Sequence, residues 1–314
     1  SKLLMQSYLP GDFFLAKEMW ETASAISNEG IEFEAQYDVI RKKNWNWSVG
    51  FNLSHNRNML RQTYNGEDLN DKVLGRPVYG IYTFKDEGIV QKEEEVPMYY
   101  NTSGKQLPLY FQSINNPLRV GGRKIKDQNY DGVIDDKDLY YAGSTLPALY
   151  GGLNSHLEWN GFSLDLLFSY TIGRKVMNMY KNSAFTFTKE FGVIMNHFHL
   201  NDFWTTTNRD AKYPSLEFAD RDYSGQFDGN IDSNIENISF LRLKQLVLGY
   251  QLPKKWLKGS FVKDANIYLS GENLFLITNY SGLDPEIINP YTGKDDGTQY
   301  PLNRKVTLGL NLKF

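Results

Sequence analysis

The densest cluster of metal-capable side chains in this 314-residue sequence is Asp127-Gln128-Asn129-Tyr130-Asp131-Gly132-Val133-Ile134-Asp135-Asp136-Lys137-Asp138. Oxygen donors recur there with the spacing of a calcium-binding loop. Asp127, Asn129, Asp131, the carbonyl of Val133, Asp135 and Asp138 would supply the oxygens, and Gly132 would make the sharp central turn. Calcium is a hard cation that takes about six to eight oxygens, so this donor set suits a structural Ca²⁺. Asp138 departs from the pattern, because a longer Glu normally closes such a loop through both oxygens. The competing reading is a polar loop stitched by Asx turns that holds no ion. The aligned carboxylates would repel one another without a cation, which favours the ion.

Other candidates are weaker. His197 and His199 flank Phe198 and share a face if extended, but no third ligand follows at a metal-site spacing. The pairs Asp135-Asp136 and Asp295-Asp296 are sequence neighbours, which does not place two carboxylates across a glycosidic bond. Gly121-Gly122-Arg123 lacks the strand-then-helix context of a phosphate loop and reads as a turn. Glu93-Glu94-Glu95 reads as a wet loop face. With no cysteine, disulfides, thiolate metal sites and cysteine nucleophiles are excluded. A net charge of −3 offers no polybasic face for nucleic acid. No catalytic constellation emerges, and an enzyme is not expected.

The elements that must carry these residues alternate with a period of two. Ile31, Phe33, Ala35, Tyr37 and Val39 fall on one face of a strand, with Glu32, Glu34, Gln36 and Asp38 on the other. After a polar turn, Trp45, Trp47, Val49, Phe51 and Leu53 resume the apolar row. A second hairpin runs from Leu149 to Trp159, turns at Asn160-Gly161 and returns from Phe162 to Tyr170, with Leu167 alone breaking the rule. Phe240–Tyr250 and Ala265–Phe275 form another pair whose alternation slips, predicting a bulge. Val306, Leu308, Leu310, Leu312 and Phe314 make the cleanest row of all.

A soluble sandwich also has one buried and one wet face per strand. What separates the readings is spacing. Short turns alternate with two long excursions, roughly residues 57–145 and 174–238, as in a barrel with tight turns on one rim and long loops on the other. A compact sandwich rarely tolerates two structureless loops of that size. Aromatics at 15% of the chain suit girdles at a lipid–water boundary. Mean hydropathy is negative and no apolar run is long enough for a spanning helix, which leaves a barrel open. Glu32, Glu34, Asp38 and Asp165 sit mid-strand, where a lipid-facing charge costs about 2–4 kcal/mol, so they must face a hydrated lumen. The pattern predicts about ten to twelve strands, whose open edges require further strands outside the sequence.

Several segments resemble the SusC/RagA family of TonB-dependent outer-membrane transporters of Bacteroidetes. They are Asn28–Glu32, Gly75-Arg76-Pro77 with Tyr79-Gly80, Tyr82 and Phe84, Asp127–Asp138, Ile235–Leu243 running into Leu248–Pro253, Glu272–Phe275, Tyr280–Glu286, and Tyr300–Phe314. They span nearly the whole chain in the family's order. The resemblance implies that residues 1–314 are the C-terminal part of one all-β transmembrane antiparallel barrel of about 22 strands. It implies a multi-pass protein of the Gram-negative outer membrane that imports oligosaccharide or peptide under a SusD-like surface lipoprotein, with the plug and the TonB-contacting segment outside this chain. The partners expected are that lipoprotein, TonB, outer-membrane lipid and the glycan or peptide substrate, with no nucleic acid. Loop aromatics such as Tyr99, Tyr100, Tyr110, Phe111 and Trp204 would stack on substrate, meet the lid or pack a loop core, and the substrate-binding residues stay unassigned. The alternative is a secreted, calcium-stabilised β-rich glycan-binding module or glycoside hydrolase, in which the apolar rows would pack inside a core.

Overall fold

The computed structural model describes residues 2–8, 18–63, 66–68, 72–179, 202–219 and 230–314. Among them there is no α-helix. The main sheet runs β1 (Lys2–Tyr8), β2 (Glu18–Lys42), β3 (Trp45–Gln62), β4 (Leu149–Trp159), β5 (Phe162–Asn178), β6 (Ile235–Gln251), β7 (Asp264–Thr278) and β8 (Lys305–Lys313). Each strand pairs antiparallel with its neighbours in chain order, and the two-residue strand Lys294–Asp295 adds to β5 in parallel. Among the described residues the main sheet holds eight long strands, and β2 and β3 continue for 25 and 18 residues, well past the stretch where their polarity alternates. Tight turns at Lys43-Asn44 and Asn160-Gly161 define one rim. Asn160 and Gly161 take φ of 47° and 89°, the left-handed pair that a two-residue hairpin turn needs to match strand twist.

Register fixes the two faces. One row crosses seven strands through Ile40, Trp47, Leu157, Leu164, Leu248, Leu269 and Leu308, each opposite the next. The adjoining row on the other face reads Asp38, Ser48, His156, Asp165, Val247, Ser270 and Thr307. The expected slip is present: bulges fall between Leu167 and Phe168 and between Leu243 and Gln245, which keeps both faces in phase around Leu167 and Lys244.

The burial pattern is inverted relative to a soluble protein. Leu308 is 75% exposed and Val306 67%, so the row that a sandwich would bury is bare. Trp45, Trp159, Phe162 and Trp256 stand exposed near the tight-turn rim, an aromatic belt on the outward side. From Ile31 to Ile40 the outward row spans about ten residues, which at about 3.3 Å each and a tilt near 40° covers roughly 25 Å, the height of an outer-membrane apolar band. No helix of the described residues is long and apolar enough to cross a membrane, which says nothing of a crossing by strands.

The apolar core sits instead in the excursions, which are far from structureless. The first holds four short ladders: Gly80–Thr83 with Tyr140–Ser144, Asp86–Ile89 with Arg123–Ile125, Met98–Tyr100 with Gln106–Pro108, and Tyr110–Phe111 with Val133–Ile134. Phe84, Leu109, Phe111, Leu118, Ile125 and Ile134 pack there with Ile231, which enters from the second excursion. Asp232 locks that junction by accepting from Lys85 Nζ at 2.6 Å, the Tyr140 hydroxyl at 2.7 Å and the Asp86 amide at 2.9 Å. Burial pushes the Asp232 carboxyl up, but these hydrogen bonds outweigh it and hold the group below its ordinary range. Trp204 donates its indole N–H to Gln91 at 2.8 Å and covers Gly121, where any Cβ would collide with the ring. The described parts of the two long loops therefore form one lobe with a shared interior.

Candidate functional site: the metal-like loop and the mouth of the barrel wall

The acidic loop lies in the lobe, between the short strands that carry Ile125 and Tyr140. Tyr130 and Gly132 adopt φ of 62° and 91°, which bends the chain around Asp127. Both oxygens of Asp127 accept backbone amides, Tyr130 at 2.7 Å and Gly132 at 2.9 Å. Asp138, fully buried, accepts from Gln128 at 2.7 Å, Asn129 at 3.4 Å and Asp135 at 2.9 Å. Burial raises the Asp138 carboxyl above its ordinary range, against the pull of those amides. Asp131 accepts from the amide of Val133 and the side chain of Asn129, and Asp135 from the Lys137 amide. Lys137 Nζ stands 4.0 Å from Asp131 and 3.8 Å from Asp135. In this conformation the carboxylates are satisfied by amides and an ammonium, and no three acidic or imidazole groups converge at metal-ligand distance among the described residues. The Val133 amide donates to Asp131 at 3.0 Å.

The other sequence candidates separate cleanly. His197 and His199 lie outside the described residues. Phe111 and Trp204 are buried, and Tyr99 and Tyr110 pack edge to face at 6.2 Å, so these aromatics serve the lobe's interior, while Tyr100 stays exposed. Glu93–Glu95 forms an exposed 3₁₀ turn. Asp295 is buried and accepts from the Tyr280 hydroxyl, whereas Asp296 faces solvent and accepts from Thr298. Burial, with Asp295 adding to it, pushes the Tyr280 hydroxyl well up, so it remains a donor.

What sequence reasoning missed is the latch between wall and lobe. Arg242 comes from the wet face of β6 and is buried with Asp284 at 2.5 Å; it also contacts Glu286, which Lys244 holds at 2.7 Å. Arg174 of β5 donates to the carbonyls of Thr145, Pro285 and Ile288 at 3.1, 3.3 and 3.1 Å. Together they pin the loop after β7 to the first excursion. The signal was present: an Arg at wet parity inside the apolar run Ile238–Leu243, and two acids spaced two apart in Asp284-Pro285-Glu286. Below the latch a cleft of about 330 Å³ opens on the wet side, lined by Asn56, Tyr150, Thr171, Arg174, Phe240 and Pro290. Deeper along the wall, His156 sits between Asp165 at 2.5 Å and Glu158 at 3.5 Å, across β4 and β5. The wall is thus lined by hydrogen-bonding groups from rim to mouth.

No family model matches the chain. TonB-dependent receptor P26 of Formosa agariphila is 29% identical over 307 residues, 94% of this chain and 30% of that protein. TonB-dependent receptor SusC of Bacteroides thetaiotaomicron is 25% identical over 304 residues, 95% of this chain and 27% of its own length. The chain is a relative of the TonB-dependent receptors. A solved structure of the RagAB peptide transporter superposes with a TM-score of 0.70 at 23% identity, covering 99% of this chain and 32% of that one. The chain spans under a third of the length of the relatives it matches, and its main sheet is open at both edges. The sheet is part of an antiparallel outer-membrane β-barrel, its apolar row facing lipid and its polar row facing the lumen.

Proposed function

We propose that the complete protein imports a nutrient, an oligosaccharide or a peptide, across the outer membrane, driven through TonB and capped by a SusD-like surface lipoprotein. The observation that carries the reading is the polar row from Asp38 to Thr307, a hydrated wall that rises to a cleft beneath a rigid lobe. Relatives named as TonB-dependent receptors support it, as does the likeness in fold to the RagAB peptide transporter. In the native host, deleting the gene should abolish uptake that collapses with a protonophore. A tagged copy should bring a SusD-like lipoprotein with it from detergent extracts. Uptake that survives the protonophore, or a protein soluble without detergent, would defeat the proposal.

We also propose that Asp127–Asp138 takes a structural Ca²⁺ through Asp127, Asn129, Asp131, Val133, Asp135 and Asp138 when Asp131 and Asp135 turn away from Lys137. The all-oxygen donor set and its spacing support this. With a Kd of about 0.1 mM, ordinary for extracellular calcium modules, about 10 mM CaCl₂ should stabilise the lobe by about 2.7 kcal/mol. The shift should appear in a thermal melt of the detergent-solubilised protein and vanish in Asp131→Asn. A melt indifferent to calcium and to a chelator rejects the ion.

A further inference from the structure

The outward face of the wall changes character at the loop-bearing end. On β3 the apolar row Phe51 and Leu53 continues, at the same parity, into His55 and Arg57. His55 lies opposite Ile31 and Arg57 opposite Glu29 on β2. On β5, the exposed Ile172 is followed by Gly173 and Lys175. His55, Arg57 and Lys175 line one groove of about 240 Å³ together with Leu146, Pro147 and Gly173, and no carboxylate lines it.

Two of these groups are held in place by backbone. His55 Nδ1 lies 2.7 Å from the Ala148 carbonyl and, as the donor there, leaves Nε2 to the groove. Lys175 Nζ donates to the Ala142 carbonyl at 2.6 Å and keeps two further N–H groups. Arg57 has neither a carboxylate nor a hydrogen-bond acceptor among the described residues; Glu29, opposite it, is engaged by Arg61 at 3.5 Å. Arg76 stacks over the Tyr141 ring at 5.3 Å, and both Arg57 and Arg76 act electrostatically on the Tyr141 hydroxyl, so the two guanidiniums share one positive region.

In outer-membrane barrels the rim with long loops faces the cell exterior. A cationic groove at that end of the lipid-facing row lies where the headgroups of the outer leaflet meet the wall. We infer that His55, Arg57 and Lys175 bind a phosphate of an outer-leaflet glycolipid, whose acyl chains lie along Phe33, Phe51 and Ile172. The free guanidinium supplies paired N–H groups that match phosphate oxygens, and the ammonium adds a point charge. Each such juxtamembrane cation strengthens the attraction about fivefold, so losing both should weaken binding about thirtyfold.

The test uses the complete protein in mild detergent, titrated with bisphosphorylated lipid A and followed by native mass spectrometry. The wild type should bind it, whereas Arg57→Ala/Lys175→Ala should bind about thirtyfold more weakly while its band still shifts on heating. Arg57→Lys should recover part of the loss, which a misfolded variant would not. Lipid A stripped of phosphate should bind wild type no better than the double variant binds the intact lipid. Equal binding by wild type and double variant, or inorganic phosphate competing at equal concentration, would overturn the assignment.

Discussion

Arg242→Ala should be the most damaging single truncation on the lumenal side, lowering stability by about 3–5 kcal/mol, because it strands a buried carboxylate. Arg242 and Asp284 are 3% and 2% exposed, and water cannot replace the guanidinium at their 2.5 Å contact. Asp284 also accepts amides from Glu286 at 3.0 Å and Leu302 at 3.2 Å, so the defect spreads into the loop that Arg174 clamps. Asp284→Asn should cost less, since its amide oxygen can still accept from Arg242 and the Glu286 amide, and only the Leu302 amide loses its acceptor. The measurement is a denaturant melt of the detergent-solubilised protein. A double-mutant cycle with Asp284→Leu should show strong coupling, because Arg242 and Asp284 share one contact. Additive losses would mean that the pair does not act as the latch.

Leu308→Arg should block assembly while Thr307→Arg is tolerated, although the two residues are adjacent on β8. On a water-facing strand either arginine would be nearly neutral. Facing lipid near the midplane, an arginine costs about 2–4 kcal/mol, whereas on the lumenal side it meets water. Leu308 belongs to the row shared with Leu269 and Leu248, and Thr307 to the row shared with Ser270 and Val247. The readout is the amount of protein in outer-membrane fractions whose gel mobility changes on heating. Equal tolerance at both positions would remove the lipid from the picture.

The wall was legible because a period of two leaves a record at every position. Trp45 to Leu53 and Val306 to Leu312 fix which face meets lipid without reference to any distant residue. Even the slip near Leu243 could be read, since a bulge shifts parity and the sequence shows the shift. The lobe was opaque for the opposite reason. Phe84 meets Ile231, and Lys85 meets Asp232, across 147 residues; no local pattern records such pairings. The short strands of two to five residues are set by their neighbours, not by their own periodicity. The acidic loop was found by spacing, but spacing could not foresee that amides and Lys137 would satisfy its carboxylates in this conformation.

Among the described residues the larger water-excluding cluster lies in the loops, and on the strands only the loop-bearing ends, such as Val176 and Ile238, are buried while the apolar row is bare. The two ends of the molecule therefore answer to different solvents. Urea attacks the cohesion of the lobe directly, whereas the strands yield only when the detergent or lipid that wets them is taken away. A surface-exposed cap can thus be remodelled, insertion by insertion, while the hydrogen-bonded wall that carries it stays as it is.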